Sequence, residues 1–170
     1  MQLVKLWNDL ALTDGAKAYA AMTAFQESPE NAVEFLIRHV RAASADDADR
    51  VLQLIRKLGS KRFAEREASS KELAMLAWRF RGTLRKALSE PAPLEVKRRI
   101  EAILAHSPRQ FPPDSLRTLR SIQVLERIGT PEACRHLRIL AEGAAAAHET
   151  AMSKNALQRL ENRVKNNSSR

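Results

Sequence analysis

An all-α fold of stacked antiparallel helix pairs is what this sequence predicts, on three observations. Apolar residues recur at helical spacing in one segment after another, and no alternating run of Val, Ile, Thr and aromatics is long enough to propose a sheet. Ala, Leu, Arg and Glu are abundant while 170 residues hold only 5 glycines and 7 prolines, which suits helices and leaves little room for tight β-turns. The segments run about 10 to 15 residues and the links about 2 to 6, which forces neighbouring helices to pack antiparallel. The simplest organisation is one domain over residues 1–165, with eight or nine helices and a frayed tail at 166–170. Repetition of such pairs builds a right-handed solenoid, with a compact bundle as the second arrangement.

The elements follow in order. Leu3, Leu6, Trp7 and Leu10 share one helical face. Thr13-Asp14 caps the next helix, whose inner side is expected to carry Tyr19, Met22 and Phe25. Ser28-Pro29-Glu30 is a cap, a first-turn proline and an early acid, and opens a helix with the stripe Val33, Leu36, Ile37 and Val40. A short polar link from Ser44 to Asp49 precedes the stripe Val51, Leu54, Ile55 and Leu58, which Gly59 is expected to end. Lys61 to about Phe80 reads as one helix with Phe63, Ala64, Ala68, Leu73, Leu76, Ala77 and Phe80 inside. Gly82-Thr83 suggests a break before a short helix ending at Leu88, and Pro91 and Pro93 mark a turn. Val96, Ile100, Ile103 and Leu104 form a further stripe. Pro108, Pro112 and Pro113 forbid an uninterrupted helix between His106 and Pro113. Asp114 or Ser115 then opens a helix carrying Leu116, Leu119, Ile122, Leu125 and Ile128, closed by Gly129. Thr130-Pro131-Glu132 repeats the earlier start signal before Ala133, Leu137 and Leu140, and a last helix carries Ala156, Leu157, Leu160 and Val164.

Charge is unevenly spread. Residues 1–49 carry 4 basic and 8 acidic side chains, residues 50–86 carry 11 and 3, and residues 87–170 carry 14 and 9, for a total of +9. A basic middle steers anionic partners, although Arg and Lys also serve simply as good helix formers that cover apolar neighbours with their stems. No apolar run approaches the roughly 20 residues of a membrane span, and the first residues lack a signal-like apolar core. A lone cysteine, Cys134, excludes an intrachain disulfide and fits a reducing compartment. The expected location is cytoplasmic, with no membrane partner.

The order of several stretches along the chain supports a resemblance. They are Leu6-Trp7-Asn8-Asp9-Leu10-Ala11 with Ala16-Lys17-Ala18-Tyr19, Ser28-Pro29, Phe63-Ala64-Glu65-Arg66-Glu67-Ala68, Glu95-Val96-Lys97-Arg98-Arg99, and Ile128-Gly129-Thr130-Pro131-Glu132-Ala133. The middle resembles the HEAT-like repeats first described from phycobilisome lyases. The whole chain is similar to the helical segment that accompanies WD-repeat β-propellers in large bacterial proteins. One departure is Gly82-Thr83-Leu84, where that family usually places Pro-Ala-Leu. The resemblance implies a HEAT-like α-solenoid and a non-enzymatic interaction module, with no catalytic residues to carry over.

The residues themselves assemble no convincing reaction centre. His39, His106, His136 and His148 are scattered and lack a His-Glu-x-x-His spacing. Glu132 and His136 lie four apart and read as a surface pair, and Cys134 reads as a small, buried or half-buried side chain. Neither a cofactor nor a small-molecule substrate is expected. The candidate binding surface is basic. Arg56, Lys57, Lys61 and Arg62 bracket one turn, Arg66 follows a helical turn later, and Lys97, Arg98 and Arg99 extend the patch if the fold brings them to the same edge. Glu67 and Lys71 read as an i, i+4 pair that supports their own helix. Trp7, Tyr19, Phe25, Phe35 and Phe63 fall within the apolar stripes, so a stacking platform for single-stranded bases is not expected. The function expected is that of a protein–protein interaction scaffold, part of a larger assembly or chain and bound to another protein or domain. The alternative is nucleic-acid binding along the basic edge.

Overall fold

Among the described residues ten helices form along the apolar stripes, one or two more than the eight or nine expected. The computed structural model describes residues 2–106 and 111–168; 78% is helix and the described residues contain no strand. The helices are α1 (Gln2–Asp9), α2 (Gly15–Gln26), α3 (Pro29–His39), α4 (Ala45–Lys57), α5 (Phe63–Leu76), α6 (Arg81–Ser89), α7 (Leu94–His106), α8 (Pro113–Ile128), α9 (Pro131–Ala141) and α10 (His148–Ser168). Of the prolines expected to separate α7 from α8, Pro112 and Pro113 do so, and Pro108 lies outside the described residues. α10 continues through Ser168, so the first residues of the expected tail are helical, and Ser169 and Arg170 lie outside the description.

Capping chemistry sets many of the ends. Asp14 Oδ1 accepts from the backbone N–H groups of Ala16 (3.0 Å) and Lys17 (3.1 Å) at the start of α2. Those bonds, the one from Lys17 foremost, hold the Asp14 carboxyl below the usual range. Ser44 Oγ accepts from Asp46 N at the start of α4, and Thr130 Oγ1 from Ala133 N at the start of α9. Ser28 precedes Pro29 as expected but makes no side-chain cap. Gly129 ends α8 with φ at +63°, the left-handed conformation that favours glycine. Gly59 does not use that freedom. α4 ends on Leu58 in right-handed geometry, and a Cβ built on Gly59 would lie at ordinary contact distance, 3.4 Å, from Val96 of α7.

The described backbone divides into two compact units. The first holds residues 1–42, 110–143 and 149–170, hence α1–α3, α8, α9 and nearly all of α10. Leu10, Phe25, Leu36, Ile122, Leu125 and Leu137 are fully buried in its core, with Trp7 and Phe35 packed against them. Polar side chains secure it. Arg120 donates to the carbonyls of Leu10 (2.7 Å) and Leu12 (2.6 Å) just beyond α1, and Arg117 donates to Trp7 O while lying over the Trp7 ring at 5.1 Å. Buried Glu126 of α8 accepts two bonds from Arg159 of α10 at 2.8 and 2.7 Å.

The second unit holds residues 43–109 and 144–148, hence α4–α7 and the link after α9. Val51, Leu54, Leu58, Leu73, Phe80, Leu84 and Ile100 are fully buried there. The link belongs to it because Ala144 N donates to Ala43 O and His148 N to Arg79 O, both at 2.9 Å, while Ala147 enters the core. α4 and α5 form an antiparallel hairpin, since Arg50 near the start of α4 binds Glu72 near the end of α5 through two bonds of 2.7 Å. α6 and α7 form a second hairpin around 90–93. Val96 in α7 meets Gly59 just before α5, and Arg99, one turn later, reaches Glu67 and Ser70, so α7 runs parallel to α5. Arg79 before α6 pairs with Asp47 at the start of α4 (2.9 Å), and Ala87 and Glu90 lie across from Ile55 and Arg56, so α6 runs parallel to α4.

Several sequence expectations need correction. The segment from Lys61 to Phe80 is not one helix. The chain turns at 77–80, which carries Phe80 into the core, and α6 begins at Arg81 with Gly82 and Thr83 inside its first turn. Six residues assigned to inner faces, Tyr19, Ile37, Phe63, Ala64, Ala68 and Val164, are exposed. In α5 the buried line is Ser69 and Leu73, while Glu67 and Ser70 meet α7, and this pattern leaves Phe63 at the helix start 65% exposed. Tyr19, 60% exposed, instead carries the Arg127 guanidinium 5.4 Å from its ring.

Candidate interaction surface

The proposed basic residues all fall in the second unit but play two different parts. Arg66 donates to the carbonyls of Ser60 (2.8 Å) and Lys61 (3.2 Å) and lies 5.6 Å from the Phe63 ring. It therefore ties down the turn before its own helix. Arg99 donates to Glu67 and Glu95, both at 2.7 Å, and to Ser70 Oγ at 3.1 Å, and its side chain is only 18% exposed. The bond to Glu67, with that to Glu95, raises the Arg99 guanidinium above its already high ordinary value. Glu67 thus pairs across to α7, and the expected Glu67–Lys71 pair within α5 does not form.

Lys61, Arg62, Lys97 and Arg98 remain. Lys61 and Arg62 immediately precede α5, and Lys97 and Arg98 fall at the start of α7. Because α5 and α7 run parallel, these four belong to one end of the unit, where Phe63 and Leu94 are also exposed. Arg56 and Lys57 sit in the last turn of α4, where cations suit the helix dipole. Among the described residues no ion pair joins any of these six cations to a carboxylate. Exposed Phe63 and Tyr19 also correct the expectation that Trp7, Tyr19, Phe25, Phe35 and Phe63 all fall within apolar stripes.

A second feature escaped the sequence reading. α5 packs closely on α7, but α4 and α6 pack less closely, and a groove of about 740 Å3 opens between them. Ala48, Leu52, Ile55 and Ala87 form much of its lining, Arg56 and Lys86 are its cations, and Glu90 is its one acid among the described residues. Ala145 and Ala146 of the link also line it. Leu52 is 47% exposed. A smaller groove of about 270 Å3 shares Ile55, Arg56, Ala87 and Glu90 and continues toward Gly59 and Val96. The sequence held one signal: Leu52 is a large apolar residue off the stripe Val51, Leu54, Ile55, Leu58.

His136 is buried rather than part of a surface pair. Its Nε2 donates to Val40 O at 3.2 Å, and Glu132 pairs with Arg135 instead. Burial holds the His136 imidazole below its ordinary value, against the Val40 bond, and nearby Arg41 adds to the depression. Cys134 is half-buried, as expected, with Sγ 3.7 Å from Gly129 O. Among the described residues no three His, Cys, Asp or Glu side chains gather as metal ligands, and no helix is long and apolar enough to cross a membrane.

Comparison with models of protein families, with curated proteins and with solved structures returns no match for this chain.

Proposed function

We propose that this chain is a non-enzymatic, HEAT-like helical-repeat module that binds other proteins, as one part of a larger assembly. Two hairpins, α4/α5 and α6/α7, that stack with like helices parallel support the repeat reading, because that is how a solenoid continues. The observation that carries the binding reading is the apolar groove between α4 and α6, with Leu52 half-exposed on its wall. An apolar cleft rimmed by Arg and Lys has the makeup of an interface centre with a polar rim. The test is an affinity pull-down with mass spectrometry at about 0.15 M salt, carried out with and without nuclease. A defined protein that survives nuclease supports the scaffold. Capture that nuclease abolishes overturns it.

A second reading has its own observation. Lys61, Arg62, Lys97 and Arg98 share one end of the second unit with exposed Phe63, a combination that suits nucleic-acid phosphates and a stacked base. Engagement of Arg66 and Arg99 within the unit weakens it. Under the scaffold reading, duplex DNA binds without sequence preference, no tighter than about 10⁻⁶ M at physiological salt. Tens-of-nanomolar binding, lost on reversing Arg62 and Arg98 to Glu, would establish the second reading instead.

A further inference from the structure

We infer that the groove between α4 and α6 receives an acidic amphipathic helix of about three turns from a partner protein; this rests on the scaffold reading and specifies its partner. The shape favours a helix. Two parallel helices wall the groove, and Ala48, Gly82 and Ala87 keep its floor shallow enough for another backbone to approach. A third helix there packs its ridges between those of α4 and α6. Among the described residues there is no strand, so no sheet edge is present to which an extended peptide would add. The length follows from the walls. The two contiguous grooves run along the chain from Ala48 to Gly59, which at the helical rise is about 16 Å, or three turns.

The chemistry of the occupant follows from the lining. Leu52, Ile55 and Ala87 are apolar and require an apolar stripe facing them. Arg56 and Lys86 stand on opposite walls, and among the described residues neither is paired with a carboxylate; Arg56 makes only a long 3.4 Å bond to Leu52 O. The sequence of this unit carries 15 basic and 9 acidic side chains, net +6, so its field attracts an acidic segment and repels a basic one. Apolar residues at i, i+3, i+4 and i+7, flanked by Asp and Glu, satisfy both requirements.

The experiment selects a display library of random peptides of roughly 15 residues against the full chain. The expected winners carry that apolar spacing with acidic flanks and become helical on binding, as read by circular dichroism. Leu52→Glu and the pair Arg56→Glu/Lys86→Glu each weaken them by roughly tenfold or more, with the far-ultraviolet spectrum of the protein unchanged. Replacing the acids of a selected peptide by Lys restores binding to the charge-reversed protein, a rescue that a misfolded variant does not give. No enrichment, enrichment of basic or unpatterned peptides, or indifference to Leu52→Glu overturns the assignment. Concentration-dependent dimers that Leu52→Glu abolishes would place a second copy in the groove and equally overturn it. A protein partner whose capture survives Leu52→Glu sinks the groove while leaving the scaffold standing, whereas the absence of any nuclease-resistant partner sinks the scaffold itself.

Discussion

Replacement of Arg99 by Met removes the guanidinium that joins α7 to α5 while keeping most of the volume of its stem. The side chain is 18% exposed, but its carboxylate partners Glu67 and Glu95 are 41% and 53% exposed. Solvent therefore screens both pairs, and each is worth about 0–1 kcal/mol. The bond to Ser70 Oγ adds about 0.5–1.5 kcal/mol. Together they place the loss for Arg99→Met at about 0.5–3.5 kcal/mol, with a fall in melting temperature of about 2–4 °C for each kcal/mol in a chain of this size. Urea unfolding followed by circular dichroism measures it. A double-mutant cycle with Glu67→Gln isolates the cross-helix pair, with an expected coupling of about 0.5–1 kcal/mol. Arg98→Met, on the exposed side of the same turn, stays within about 0.5 kcal/mol of the parent. If Arg99→Met is as neutral as Arg98→Met and the coupling is zero, Arg99 is not a structural residue and the basic edge regains it.

Other perturbations probe separate parts of the argument. Leu36→Ala and Leu54→Ala, at 0% and 1% exposure, each lose about 2–5 kcal/mol, whereas Val164→Ser stays within about 0.5 kcal/mol; thermal and urea unfolding report both. Gly129→Ala meets the cost of a left-handed backbone, about 1–2 kcal/mol, while Gly82→Ala, with nothing within 4 Å of the new Cβ, is stabilising by about 0.5–1 kcal/mol. Because burial depresses the His136 pKa, the unfolded chain binds more protons below about pH 6.5, so stability falls as pH drops from there through the folded pKa. His136→Gln flattens that slope in urea titrations, and an unchanged slope would assign it to other groups.

What the sequence by itself determined is local. Helical periodicity marked most buried positions, including Leu10, Phe25, Val51, Leu54, Ile100 and Leu137. Short-range hydrogen bonding made Asp14 and Thr130 legible as caps, and the left-handed backbone made Gly129 legible as a terminator, whereas the expected polar link from Ser44 to Asp49 is Ser44 as cap followed by the first turns of α4. These features depend on neighbours within a turn or two, and such neighbours are written consecutively. The tertiary structure decided the rest. An apolar stripe states which face is buried but not where its covering neighbour ends, and so Phe63 and Tyr19 emerged into solvent. The turn at 77–80 serves Phe80 in the core and Arg79 on Asp47, partners more than 30 residues away from one another in the latter case. Lys97, Arg98 and Arg99 are consecutive and chemically alike, yet only Arg99 meets Glu67 and Glu95, because the parallel packing of α5 and α7 turns that one guanidinium inward. The groove over Leu52 arises in the same way: it lies between helices whose separation is set by the packing of their partners, a quantity that no single helix encodes.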